Sequence, residues 1–297
     1  MIKKNIYVVF VNYNGYEDTI NAIKSLRKND SLEIKIVVVD NASTNNSVKK
    51  LKELCDEYNF TLLISEKNLG FAGGNNIGIN YSLKKGADYV MLLNNDTEIE
   101  KDAITIMADE LTNNNEVGAV GSKILNYFNK EKIEYLGGHY NMVKMVTIHD
   151  YYGKKDNEIN VPDFIYTDFI TGCSIMIKKE VLEKVGLLPE EYFMYFEDAD
   201  YCIRMIENGY KLGVCSKSII YHKVSASGGG NNSPFAIEWY TKNRYRFYKK
   251  YKKYSKGIIT KLSFIPTKSL INVIGNKEKK HALFKGIKDG LKILRNN

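Results

Sequence analysis

Short, continuously apolar runs alternate with amphipathic segments through the first two-thirds of the chain, and this alternation constrains its fold more than any other feature. Ile6–Val11, Ile34–Val39, Phe60–Ile64 and Tyr89–Leu93 read as strands. Between them, Ile20, Ile23 and Leu26, then Val48, Leu51, Leu54, Cys55 and Tyr58, repeat at helical spacing. A Gly-rich segment followed by a helix around Ile77–Lys84 comes before the fourth strand, and Ile104, Met107, Ala108 and Leu111 mark a further helix after it. Strands apolar on both faces, separated by helices, build a mostly parallel sheet covered on both sides. Such sheets bind ligands beyond the carboxyl ends of their strands. Polar residues just after each strand are therefore the candidates for function.

Four strand ends carry such residues. Asp40 closes the second strand in Val37-Val38-Val39-Asp40-Asn41-Ala42-Ser43. A carboxylate there accepts hydrogen bonds from the ring N–H of a uracil- or thymine-type base, or equally caps a helix or an Asx turn. The third strand leads into Asn68-Leu69-Gly70-Phe71-Ala72-Gly73-Gly74-Asn75-Asn76, where small residues allow a backbone to approach a ligand. This run is neither G-x-G-x-x-G nor a P-loop. Leu93-Asn94-Asn95-Asp96-Thr97 follows the fourth strand, and a single carboxylate flanked by amides suits a hard divalent cation that also binds phosphate oxygens. His222 ends a later strand, Leu212–Tyr221, before a Gly/Ser/Asn loop over Ser225–Ser233. The densest acidic cluster is Glu197-Asp198-Ala199-Asp200, opening a helix over Asp198–Glu207. Crowded carboxylates raise one another's pKa toward values useful in a general base. The alternative is a set of acids favoured by the helix dipole, with Arg204 pairing Asp200 one turn away.

Composition excludes several classes. The four cysteines, Cys55, Cys173, Cys202 and Cys215, form no C-x-x-C pair, which argues against a zinc ribbon and reads as reduced core thiols of a cytoplasmic protein. The N-terminal apolar run is too short for a signal peptide, and no stretch has the ~20 apolar residues of a membrane span. The formal net charge of +8 is concentrated toward the C-terminus. From Trp239 to Lys256 eight basic residues interleave with aromatic ones, without an acidic residue. This stretch suits an anionic membrane surface, a helix packed on the preceding domain, or nucleic acid, in that order of preference. Residues between about 122 and 165 show no periodicity that assigns them.

Taken in order, Asn12-Tyr13-Asn14-Gly15, Val-Val-Val-Asp-Asn-Ala-Ser, Asn-Leu-Gly-Phe-Ala-Gly-Gly-Asn-Asn, Leu-Asn-Asn-Asp-Thr and Glu-Asp-Ala-Asp-Tyr-Cys-Ile-Arg resemble the family-2 inverting nucleotide-sugar glycosyltransferases, over residues 5 to 250. Rhamnosyltransferase-like enzymes of surface polysaccharide assembly are the most similar subgroup. The resemblance implies a GT-A fold, a Rossmann-like mostly parallel α/β sheet flanked by helices. It divides the chain into a catalytic domain over 1–235, with a nucleotide-sugar half to about 120 and an acceptor half from 121, and a basic helical extension over 236–297. It implies that Asp40 binds the base with Tyr13 and Asn14 close by, and that Asn41, Ser43, Asn68, Gly70, Asn94, Asn95 and Gly172 line the nucleotide-sugar pocket. Asp96 stands at the last position of a D-x-D that reads Asn94-Asn95-Asp96, and with His222 would hold Mn²⁺ or Mg²⁺. Asp198 would be the catalytic base, with Glu197 beside it and Asp200, Arg244 and Trp239 on the acceptor side. The implied donor is dTDP-rhamnose or a UDP-hexose, and the acceptor a glycan or polyprenyl-linked precursor. The implied location is the cytoplasm, peripheral on the inner face of the membrane, with no nucleic acid partner. A nucleotidyltransferase and a non-catalytic nucleotide-sugar-binding protein are the competing readings.

Overall fold

The computed structural model describes residues 4–29, 33–223, 232–257, 260 and 275–295. Its first half is a parallel sheet. Strands β1 (Ile6–Asn12), β2 (Ile34–Asp40), β3 (Phe60–Ile64) and β4 (Tyr89–Leu93) pair in the order β3-β2-β1-β4. Helices α1 (Tyr16–Asn29), α2 (Ser47–Leu54) and α3 (Gly70–Lys84) make the crossovers. In α1 the acids Glu17 and Asp18 open the helix and Arg27 and Lys28 close it, as the helix dipole favours. β2 and β3 step outward from β1 on one side, whereas β4 returns to the other. The loops after β1 and β4 therefore part, leaving a crevice at the carboxyl edge.

The sheet continues beyond β4. Strand β5 (Thr97–Ile99) and helix α4 (Ala103–Asn113) lead to the long β6 (Val117–Asn126). Residues 122–165, unassigned from sequence, contain the end of β6, the short strands β7 (Ile133–Tyr135), β8 (Gly138–Asn141) and β9 (Val146–His149), and the start of β10 (Phe164–Thr167). Strands of three or four residues are too short to show a period. β11 (Ser174–Lys178) inserts antiparallel between β4 and β6, and β12 (Lys211–His222) pairs parallel with β6 and antiparallel with β10. Ahead of β11 the chain turns at Thr171–Cys173, so the apolar residues Phe169 and Ile170 lie outside the strand. Along the path β3-β2-β1-β4-β11-β6-β12-β10 only β11 and β10 oppose the common direction, so the sheet is mostly parallel as expected.

Helices α5 (Lys179–Val185), α6 (Glu197–Glu207), α7 (Pro234–Tyr251) and α8 (Lys277–Arg295) complete the described fold. Tyr7 and Val9 of β1 face one core with α3, α5 and α6, and Ile6, Val8 and Phe10 face another with α1 and α4. The Gly-rich segment is not a loop before a helix but the first half of α3 itself. Its glycines serve packing: a Cβ at Gly78 would stand 2.3 Å from Val9 Cγ1, and one at Gly74 2.8 Å from Val11 Cγ1. Ser233 caps α7 by accepting from the Ala236 amide at 3.1 Å, with Pro234 in the first turn. The loop read over Ser225–Ser233 lies outside the described residues apart from its last two positions. Among the described residues no helix is long and apolar enough to cross a membrane.

Candidate active site

The crevice between β1 and β4 is a cleft of about 500 Å³ lined by Tyr13–Asp18, Asn45, Asn46, Asn95 and Asp96. Its rim is a network of side-chain-to-backbone bonds. Asn14, at φ +60°, donates its amide to Ser43 Oγ at 2.8 Å and accepts from the Thr44 amide at 2.8 Å. Asn95 donates to Thr19 Oγ1 at 3.0 Å. Asp40 lies beneath this rim. It is 0% exposed, and its oxygens accept from Asn12 Nδ2 at 2.7 Å, the Ser43 amide at 2.9 Å and Ser43 Oγ at 2.7 Å. Asp40, expected at the base, thus also braces the turn that presents Tyr13, Asn14 and Ser43. Asn41 likewise points inward, donating to Gly70 O at 2.9 Å and Asn68 Oδ1 at 3.1 Å, so it ties the end of β2 to the start of α3.

Asp96, buried at the end of the β4 loop, meets His222 from the end of β12, with Oδ1 to Nε2 at 3.2 Å. Behind the ring, Glu134 Oε2 lies 3.5 Å from Nδ1. Burial disfavours the charged imidazole, but Cys173, Asp96 and Glu134 outweigh it and hold the His222 pKa well above its ordinary value. Asp96 Oδ1 and His222 Nε2 could serve a divalent cation once the ring gives up the proton that faces Asp96; among the described residues no group of three or more His, Cys, Asp or Glu side chains is gathered for a metal. Two neighbouring ligands of an octahedral ion at about 2.1 Å are about 3 Å apart, close to the Asp96–His222 spacing. A carboxylate behind a ligating imidazole also fixes its tautomer. A cation held by these two residues would take its other oxygens from water or phosphate. Glu134 and Cys173 were not legible in the sequence: one lies in the unassigned region, and the other reads as a core thiol. Lys223, next to His222, bonds Asp18 at 2.5 Å and places a cation at the cleft wall.

The acidic cluster opens α6 as expected. Asp198 Oδ2 accepts from the Gly172 amide at 2.9 Å, and Oδ1 accepts from the Ala199 amide at 2.8 Å. A Cβ at Gly172 would stand 2.9 Å from the Phe71 ring, so glycine permits this approach. The next residue, Cys173, accepts from the Asn94 amide at 2.9 Å. Two consecutive residues thus join Asp198 to the Asn94-Asn95-Asp96 turn. Burial raises the Asp198 pKa, against the two backbone hydrogen bonds. Glu197 is 5% exposed and its Oε2 has no partner; burial and the adjacent Asp198 push its pKa well up.

Asp200 takes a different part from the acceptor contact expected of it. It is 0% exposed and binds Lys250 of α7 at 2.7 Å and the Tyr192 hydroxyl at 2.9 Å. Arg204 does not pair with it by hydrogen bond; the guanidinium instead serves the carbonyls of Leu187, at 2.8 Å, and Val185. Trp239 stacks on Phe193 at 4.7 Å between ring centroids, and Arg244 Nε donates to Lys144 O at 2.7 Å. The basic aromatic stretch is therefore a packed helix. Asn243, Tyr245, Phe247 and Tyr251 of α7 are buried, and Phe247 and Tyr251 belong to the same core as α6. Those aromatic rings are spent on packing rather than offered to a membrane surface.

The sequence profile of Glycosyl transferase family 2 matches residues 7–186. The chain belongs to glycosyl transferase family 2. Among curated relatives of this family 2 chain, the low-salt glycan biosynthesis hexosyltransferase Agl10 of Haloferax volcanii is 28% identical over 71% of the chain, which spans 64% of Agl10's own length. The dTDP-rhamnosyl transferase RfbF of Shigella flexneri is 28% identical over 75% of the chain and 70% of RfbF. The rhamnosyltransferase WbbL of Escherichia coli is 24% identical over 82% and 92%. Solved structures confirm the GT-A-like fold. GalNAc-T7 with UDP, GalNAc and Mn²⁺ superposes with a TM-score of 0.67 at 16% identity, covering 85% of this chain and 51% of that one. The mannosyltransferase PcManGT of Pyrobaculum calidifontis, with GDP-Man and Mn²⁺, gives 0.60 at 15% identity, covering 100% and 77%.

Proposed function

We propose that the protein is an inverting glycosyltransferase that moves a sugar, rhamnose first among the candidates, from a dTDP- or UDP-sugar to a hydroxyl of a surface polysaccharide or lipid-linked glycan precursor. The supporting observation is the Gly172–Cys173 turn, which ties Asp198 to the Asn94-Asn95-Asp96 turn and so couples a raised-pKa carboxylate to the end of the nucleotide cleft. RfbF and WbbL, named for rhamnosyl transfer, favour rhamnose. Tyr13, Asn14 and Ser43 would hold the base, and Asn95 with Lys223 would face the diphosphate. Asp96 and His222 would hold the divalent cation, which when bound offsets the charge developing on the departing diphosphate. Asp198 removes the proton of the attacking hydroxyl. With one base, the displacement is single and in line, so the anomeric configuration inverts. Burial and the adjacent Asp198 push the Glu197 pKa well up, so the two carboxylates oppose each other's ionisation.

Calorimetric titration with dTDP, UDP and GDP, each with and without Mn²⁺, tests the donor. Metal-dependent binding of dTDP supports rhamnosyl transfer, UDP binding moves the sugar to a hexose, and no binding of any removes the reading. Asp198→Asn is expected to abolish transfer and spare nucleotide binding.

A further inference from the structure

The segment that delivers Asp198 is held in a conformation its residues avoid. Phe193, Tyr195 and Phe196 have φ of +62°, +70° and +77°, and none is a glycine. Within the bend the Met194 amide closes a tight, strained turn onto Tyr192 O at 2.7 Å, and contacts from elsewhere brace it. One contact comes from the nucleotide half, where the Phe71 amide donates to Phe193 O at 2.6 Å. The other comes from α7. Asn243 Nδ2 lies 2.6 Å from Tyr192 O, 2.8 Å from Met194 O and 3.2 Å from Tyr195 O, so one amide group gathers three of the four carbonyls of residues 192–195, the fourth being held by Phe71. Asn243 is 0% exposed, and its Oδ1 accepts from the Arg246 guanidinium. That bond fixes which way the amide points, since the carbonyls require the nitrogen and the guanidinium requires the oxygen. One turn earlier on α7, Trp239 stacks on Phe193.

We infer that Asn243 is a positioning residue: by clasping the 192–195 carbonyls from α7 it sets the place of Asp198, so turnover depends on it while nucleotide affinity does not. The inference rests on Asp198 being the base. The nucleotide cleft is built from β1, β2 and β4 and takes no residue from α7. Loss of the clasp therefore moves the base and leaves the donor site intact. A displacement of about 1 Å at a reacting group costs roughly 100-fold in rate.

The test uses full-length Asn243→Asp and Asn243→Ala. The first keeps the volume but turns an acceptor oxygen toward three carbonyls; the second deletes the amide. Arg246→Gln, which frees the amide to rotate, is the milder companion should either variant fold poorly. Trp239 is the single tryptophan, so its fluorescence reports on the bend without any substrate. The expected result has three parts: greater acrylamide quenching of Trp239 with unchanged far-UV circular dichroism, dTDP affinity within threefold of wild type, and kcat for dTDP release from dTDP-rhamnose lower by about 100-fold, with Arg246→Gln between. Wild-type turnover and quenching in Asn243→Asp overturn the inference, as does a kcat loss matched by an equal loss of dTDP affinity. Asp198→Asn, run alongside, separates the two readings. If it is inactive while Asn243→Asp is fully active, only the clasp fails. If it stays active, the base assignment fails, and increased Trp239 quenching in Asn243→Asp then still supports the clasp.

Discussion

Replacing Lys250 by Met would expose what the ion pair between α7 and α6 contributes. Asp200 is 0% exposed, while the Lys250 side chain is 39% exposed. Breaking a buried pair from one side costs about 3–5 kcal/mol, because the remaining charge stays buried and unpaired. Two features lower that figure here: solvent screens the exposed lysine, and the Tyr192 hydroxyl still donates to Asp200. About 2 kcal/mol remains at pH 8. With a urea m-value of about 3 kcal/mol/M, the unfolding midpoint falls by about 0.7 M. The loss depends on pH in a defined direction. Burial already raises the Asp200 pKa, opposed by Lys250, and removing the lysine raises it further. As pH falls through that value the unpaired carboxylate takes up a proton and the penalty disappears, so the deficit at pH 5 is smaller than at pH 8. Asp200→Asn combined with Lys250→Met should recover most of the loss, because no buried charge remains. Urea unfolding followed by circular dichroism at both pH values measures this. A deficit equal at both, unrecovered in the double variant, would show that Lys250 acts through its aliphatic stem and not its charge.

Other changes test separate parts of the structure. Gly78→Ala, which puts a Cβ 2.3 Å from Val9 Cγ1, should cost about 1–3 kcal/mol in thermal unfolding, partly restored by Val9→Ala. Glu197 has a raised folded pKa, so the native state holds a proton that the unfolded chain releases, and stability falls as pH rises from the unfolded value of about 4.3 toward the folded one. In Glu197→Gln the dependence of Tm on pH across that window should be flatter. Because burial raises the Asp198 pKa, the acid limb of kcat/KM should lie above the ordinary aspartate value of about 3.9, and a limb at or below it would argue against Asp198 as the titrating base.

The parallel half of the fold was legible because its strands are buried on both faces, which writes them as unbroken apolar runs. The residues after them stood out because they follow those strands: Asn14, Asn95 and Asp96 line the crevice, and His222 meets Asp96. What was missed depends on tertiary contacts without a local signature. Asp40 looks the same in sequence whether its carboxylate faces a ligand or braces a turn. Asp200 looks catalytic beside Asp198, and only Lys250, fifty positions on, shows it to be a structural anchor. The glycines of α3 have low helical propensity, so they read as a loop, yet the close approach to Val9 and Val11 needs them in a helix. Asn243 carried no signal, being an amide within a run of cations.

The dependence of the bend at 192–195 on α7 also sets an order of events during synthesis. Every strand of the sheet is complete by His222, so the nascent chain can close its nucleotide cleft early. The bend receives its clasp only when residue 243 has left the ribosome and α7 has docked. Before then, on the proposed function, the chain would have its cleft folded but the bend before Asp198 unbraced. If the proposed roles hold, the competence to react would therefore arrive after the cleft has formed.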